Sequence, residues 1–318
     1  MSLTSLLTYD NDIKALFATI PNMKACFYSA EGEEPFPAKL MPIAPREEST
    51  ARLIGQGYDY LLRAFIQRVN NKHQEQAVDD LDAYNGLNRW SGTDDNLRSR
   101  FDEVVQHRNE YILGQRDIDH TLLQDSMVLA HLDSYYRSGY MDERGPLYVN
   151  EEDITDLKHL IAATQERSSL FIAEHEIICS PSFGRAITSL VGGADGDLIL
   201  DNMLLDFKTE SSFKYAVRHL RQLIGYWVLS CLTADYSTPI QRLGIWNPRY
   251  CRMVSISVED VCQSMDVIAF TDRFIDVLSI PLKSQNVYLS SVRKQHIEEV
   301  RSLWESPDQP IRQLYAAL

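Results

Sequence analysis

The residues best suited to chemistry fall in one stretch, Asp195-Gly196-Asp197-Leu-Ile-Leu-Asp-Asn-Met-Leu-Leu-Asp206-Phe207-Lys208-Thr209. Side chains alternate along a strand, so Asp206 and Lys208 project to one face while Phe207 takes the other. The apolar runs on either side of Asp201-Asn202 read as two short strands joined by a tight turn, which returns Asp197 to their side. Two carboxylates and an ammonium converging at the end of a hairpin suit phosphodiester hydrolysis. The carboxylates offer hard oxygen ligands to Mg²⁺, and the metal polarises the phosphate and acidifies a bound water. The lysine can orient that water or stabilise charge growing on the phosphorus. A lone Asp-x-Lys triplet is common in solvated hairpins, so its meaning depends on what accompanies it.

The company is informative. Gly-x-Asp, an apolar pair, a turn, a second apolar pair and Asp-Phe-Lys-Thr together resemble the second and third motifs of the PD-(D/E)xK nuclease superfamily. The resemblance is to the branch that holds RecB-type nuclease domains, Cas-type nucleases and lambda-type exonucleases. Downstream, Gln222-Leu-Ile-Gly-Tyr226 matches that branch's Q-x-x-x-Y motif. The spacing puts both side chains on one helical face with Arg218 a turn earlier. Upstream, Gly55-Gln-Gly-Tyr-Asp59 resembles the branch's G-x-x-x-H helix with Asp in place of His. Aspartate is a harder ligand that suits Mg²⁺ at least as well as imidazole, although an acid early in a helix also favours the dipole alone. Glu166, Glu174 and Glu176 are the substitutes for Asp59. Asp195 shares a strand face with Asp197; Asp197 is favoured because it opens the Leu-Ile-Leu run and stands at the family's distance from Asp206.

The resemblance implies a metal-dependent nuclease of the prokaryotic or phage type in which Asp59, Asp197 and Asp206 bind Mg²⁺ or Mn²⁺. Lys208 positions the nucleophilic water, and Gln222, Tyr226 and Arg218 shape the substrate groove. It implies DNA as substrate, in repair, recombination or defence against foreign DNA, and no iron–sulfur cluster, because Cys251 and Cys262 lack a clustered spacing to go with Cys26. Two alternatives stay open: a catalytically inactive nuclease-fold binding or assembly module, and an RNA-directed nuclease on the same scaffold. The first usually lacks the lysine or a carboxylate, and both are present here.

The elements that must hold these residues divide the chain. A short helix is predicted around Asp12 to Thr19, followed by a Gly/Glu/Pro-rich irregular passage from Glu31 to Pro45. Ser49-Thr50 can cap a helix over about 49–70, where Leu53, Ile54, Tyr58, Leu61, Leu62, Phe65, Ile66 and Val69 recur at helical spacing. Helices are predicted at about 75–86, 96–113, 120–138 and 153–173. After Glu174 come strand-like runs at Glu176 to Pro181, Gly196 to Leu200 and Met203 to Lys208. Ser211-Ser212 is then expected to cap a helix running to about Thr233, followed by a hairpin of Arg242 to Trp246 with Arg252 to Ser257, and by helices near 258–279 and 290–305. The fold class is therefore α/β (α+β). A mainly helical part (1–150) carries the helix of Asp59, and a core (151–318) carries the hairpin; the resemblance makes this core restriction-endonuclease-like, a mixed sheet flanked by helices.

Composition fits an ordinary globular chain of 318 residues, 44% hydrophobic and 24% charged. The net charge of −14 argues against strong non-specific DNA binding by the whole surface. It points to a restrained enzyme working with a DNA-binding or helicase-like partner, and it leaves a homo-oligomer open. Arg242, Arg249 and Arg252 are candidate phosphate contacts. Trp227, Tyr135 and Tyr136 are able to stack bases, but at helical spacing such residues are more often core. No signal peptide or membrane-length apolar run is read, which implies a cytoplasmic protein without a membrane partner. The five cysteines form no C-x-x-C pair, the histidines no H-x-x-x-H pair and the glycines no phosphate loop.

Overall fold

The structure is a computed structural model that describes residues 3–45, 51–71, 81–90, 96–141, 143–236, 238–280 and 287–317. It is an α/β arrangement around a six-stranded mixed sheet of order β1-β6-β5-β4-β3-β2. The strands are β1 (Tyr28–Ser29), β2 (Ile177–Cys179), β3 (Leu198–Leu200), β4 (Met203–Phe207), β5 (Arg242–Asn247) and β6 (Arg252–Ser257). Only the β4–β5 pair is parallel; the rest of the sheet is antiparallel. A parallel pair needs a crossover between its strands, and the helix Val217–Cys231 supplies it.

In chain order the helices are α1 (Leu3–Tyr9), α2 (Asn11–Ala18), α3 (Ala51–Val69), α4 (Asp82–Arg89), α5 (Asn96–Ile112), α6 (His120–Ser138), α7 (Glu151–Gln165), α8 (Arg185–Val191) and α9 (Val217–Cys231). The chain ends with α10 (Val258–Ser264), α11 (Val267–Ser279), α12 (Val287–Trp304) and α13 (Pro310–Ala317). Strand alternation sorts the sheet's side chains into two cores. Ile199, Leu204, Leu243 and Ile245 pack with Leu220, Leu223 and Trp227 of α9. Leu198, Leu205 and Trp246 pack instead with Ile54, Leu61 and Phe65 of α3 and Leu157 of α7. Each fully buried leucine of this kind contributes about 1.5–3 kcal/mol of transfer free energy. A third cluster joins α4, α5 and α6 to Tyr60 of α3. No helix among the described residues is long and apolar enough to cross a membrane.

The hairpin with Asp201-Asn202 at its turn is present, Asp201 taking the left-handed region at φ 52°. The expected bounds of α6 hold because Asp119 caps its first turn and Gly139, at φ 71°, ends it. Other expectations need correction. The helix after Ser211-Ser212 begins only at Val217, because residues 208–211 are drawn instead toward the β5–β6 turn. The helix near 153–173 ends at Gln165, with a separate 3-10 turn at Ser168–Phe171. The one near 258–279 is two helices, since the Asp266 side chain accepts from the Ala269 amide and starts a new one. The cap at Ser49-Thr50 and residues 75–80 lie outside the described residues, and of the helix near 75–86 the described part is α4, which runs on to Arg89. Strand β1, which pairs with β6, and helices α1, α8 and α13 were not expected.

Candidate active site

The register Leu198↔Leu205 sets Asp197 opposite Asp206 one step beyond the β3–β4 ladder. Asp197, Asp206 and Lys208 thereby share the sheet face that also meets α9. Asp197 Oδ2 accepts the Phe207 amide at 2.6 Å, which fixes that carboxylate over the end of β4. Asp206 is 3% exposed. Its Oδ2 lies 2.6 Å from Lys208 Nζ in an ion pair that is not aligned as a hydrogen bond. The ammonium donates to Gln222 Oε1 at 3.2 Å, and Gln222 Nε2 donates to the Tyr226 hydroxyl at 3.4 Å. Tyr226 in turn stacks on Phe183 with ring centroids 5.4 Å apart, inside the range of about 4.5–7 Å for aromatic pairs. The sequence spacing therefore brought together five of the expected residues, Asp197, Asp206, Lys208, Gln222 and Tyr226.

Electrostatics follow from two carboxylates sharing one lysine. Burial, and then the neighbouring Asp206 charge, push Asp197 up to about 6. Burial alone would depress Lys208, but Asp206 and Asp197 outweigh it and hold the ammonium above its usual value. Burial raises the Tyr226 hydroxyl too. A divalent cation would fit this pair of carboxylates by relieving their mutual repulsion, although Asp206 Oδ2 already has the Lys208 ammonium at 2.6 Å.

Asp59 stands on α3, across a cavity of about 290 Å³ that Asp197, Asp195, Thr209 and Tyr226 also line. Gly55 permits this approach, since a Cβ there would sit 3.2 Å from Thr209 Oγ1. The Asp59 carboxylate is engaged by Arg63, whose Nε donates to Oδ1 at 2.8 Å and whose Nη1 reaches Ser180. Among the described residues no three His, Cys, Asp or Glu side chains are grouped as a ready cation cage. Asp195 is solvent-accessible on the rim of the cavity, and the protein crowded around its carboxylate, followed by the Asp82 charge, raises it. Glu174 and Glu176 flank the far end of the β2–β3 ladder, beside Asp201, and Glu166 is an exposed residue after α7. None of the three lines the cavity.

Several readings of single residues change. Arg218 does not reach the cavity; it pairs with Glu210 at 2.8 Å, and His219 also bonds that carboxylate. The His219 bond, with Arg218 behind it, holds Glu210 down to about 2. Arg249 is not a surface contact: it is 1% exposed and bound through both terminal nitrogens to Asp156 at 2.7 and 2.8 Å. Arg252 pairs with Glu31 and Glu33. Arg242 starts β5, at the end of the sheet away from Lys208. Trp227 is core at 2% exposure. Sequence reasoning missed the cavity's other walls, Gln56, Arg63, Asp82, Asp133 and Arg137. The four-residue spacings Asp59/Arg63 and Asp133/Arg137 were the available signal. A larger hollow of about 750 Å³ between α3, α6 and α7 has an apolar floor of Phe65, Leu123 and Ile154 and receives none of the hairpin residues. The smaller cavity is lined by Asp197 and Tyr226, while Asp206, Lys208 and Gln222 stand behind that wall and do not line it.

Comparison with protein-family models, curated proteins and solved structures finds no match to this chain.

Proposed function

We propose that this protein is a divalent-cation-dependent nuclease of the PD-(D/E)xK type that hydrolyses the phosphodiester bonds of DNA. The observation that carries the reading is the chain Asp206–Lys208–Gln222–Tyr226, closed by Asp197 across the hairpin. A mixed sheet with helices on both faces is the setting such a site requires. Asp197 and Asp206 would hold Mg²⁺ or Mn²⁺, with Asp59 of the facing helix completing the set when Arg63 releases it. A bound cation of this kind would polarise the phosphate and lower the pKa of water.

Lys208 is the group this chain itself brings to the reaction. Fixed between Asp206 and Gln222, it stays cationic and presents its remaining N–H to an attacking water or to the oxygen on which charge develops. Tyr226 holds Gln222, and so the far side of that ammonium. Repair, recombination or defence against foreign DNA, with a helicase-like or DNA-binding partner, is the setting we assign to an acidic enzyme of this type.

The test is cleavage of labelled single-stranded DNA, duplex DNA and RNA with Mg²⁺ or Mn²⁺. Lys208→Ala is expected to lower kcat on DNA by about 10²–10³-fold. Equal rates for wild type and Lys208→Ala would remove the catalytic assignment. Binding of DNA without cleavage would leave a non-catalytic module, and cleavage of RNA alone would redirect the substrate.

A further inference from the structure

We infer that the turn between β5 and β6 is a positioning clamp for Lys208, an inference that rests on the nuclease reading. The Lys208 amide keeps a last bond to β5, and beyond it the backbone groups lose their ladder partners and must be satisfied elsewhere. The three residues that follow are taken up by Asn247, at the end of β5, and by the turn after it. The Lys208 amide donates to the Trp246 carbonyl at 2.8 Å. The next three carbonyls each accept from a side chain there: Thr209 from Arg249 Nε at 2.8 Å, Glu210 from Asn247 Nδ2 at 3.1 Å, and Ser211 from the Tyr250 hydroxyl at 2.5 Å. Asn247 also accepts the Arg249 amide at 3.0 Å, which locks the clamp to itself.

The chemistry of Arg249 argues for positioning over bulk stability. A buried Arg–carboxylate pair is often no more stabilising than apolar residues of equal volume, because desolvation consumes the Coulombic gain. What the guanidinium offers is a rigid planar fork. Two of its nitrogens are fixed by Asp156, and the third is thereby aimed at the carbonyl that follows Lys208. Its own carbonyl accepts the Ile43 and Ala44 amides at 2.7 and 3.0 Å, so the same residue also ties down the segment that leads toward α3. Asn247, Arg249 and Tyr250 do not line the cavity and make no bond to the Lys208 side chain, so they act on it through the backbone.

The experiment measures single-turnover DNA cleavage for Tyr250→Phe and Arg249→Lys, each in the wild-type and the Lys208→Ala background, alongside peptide-resolved amide exchange. A misplacement of the lysine by about 1 Å costs on the order of 10²-fold in rate. Arg249→Lys is accordingly expected to lower kcat about 10²-fold and Tyr250→Phe about tenfold, with KM within about twofold. In the Lys208→Ala background neither substitution should cause a further loss. Exchange of the Lys208 amide, which donates to the Trp246 carbonyl, should quicken in both variants while the melting temperature of Tyr250→Phe stays at the wild-type value. Equal fractional losses in the two backgrounds would overturn the clamp and leave a merely structural turn. If the wild type cleaves neither DNA nor RNA, the nuclease reading falls by itself; unaltered exchange of the Lys208 amide overturns the clamp independently of that outcome.

Discussion

Asp156 and Asp206 are both buried aspartates beside a basic side chain, yet they are built in opposite ways. Asp156 gives one oxygen to each terminal nitrogen of Arg249, a bidentate pair sealed at 0% and 1% exposure. Asp206 shares its lysine with a second carboxylate, Asp197, and one of its buried oxygens has no aligned hydrogen bond. The first arrangement neutralises charge and fixes three chain segments; the second leaves one negative charge in excess at the end of a hairpin. Around the cavity Asp59 pairs with Arg63, whereas Asp133 and Asp82 share Arg137. What sets the hairpin apart is that its two carboxylates share a lysine in the interior, next to the strand that carries it.

The comparison can be broken most directly at its balanced end. Arg249→Ala would strand the Asp156 carboxylate in the core, and denaturant unfolding should register a loss of about 3–5 kcal/mol. A loss below about 1 kcal/mol would show that the pair is dispensable and the contrast with Asp206 false.

The unbalanced end gives a pH signature of opposite kind. In the cation-free protein Asp197 is raised from its ordinary 3.8 to about 6 by burial and by Asp206. The unfolded chain therefore loses this proton first, and stability that is complete below about pH 4 declines as pH rises through about 6. Thermal melts of wild type minus Asp197→Asn should isolate that decline, and saturating Mg²⁺ should reverse it by binding the folded state alone. Parallel melting curves across this window would mean that the two carboxylates do not compete.

A smaller effect sharpens the place of Asp59 between the two types. Its pairing with Arg63 is a partly exposed i,i+4 bridge, so Asp59→Asn should change stability by less than about 1 kcal/mol. Calorimetric titration with Mg²⁺ should nevertheless find weaker binding in the variant. Identical titrations would confine Asp59 to its salt bridge and leave a site of two carboxylates.

Much of the site was legible because its logic is local. Alternation along β4 aligned Asp206 with Lys208, a two-residue turn at Asp201-Asn202 returned Asp197, and a spacing of four set Gln222 above Tyr226. The bounds of α6 could be read for the same reason, since Asp119 and Gly139 act within one turn of their own helix. The start of α9 was misread because Ser211 is a good cap in isolation, whereas in the protein its carbonyl is claimed by Tyr250. Arg249 was read as a surface cation because charge is exposed by default, and nothing within its neighbourhood in the chain announces Asp156.

The sequence by itself thus determined which side chains share the hairpin face and that carboxylates outnumber cations there. Periodicity and turn chemistry act over a few residues and need no partner. Only the tertiary structure decided which acids are neutralised. Asp59 meets Arg63 on its own helix, but Asp156 meets Arg249, and the carbonyls after Lys208 meet Asn247, Arg249 and Tyr250, across long intervals of chain. A charge is costly to bury unless it is paired and hydrogen-bonded, and which partner arrives is set by how the β5–β6 turn and α7 pack against the end of β4.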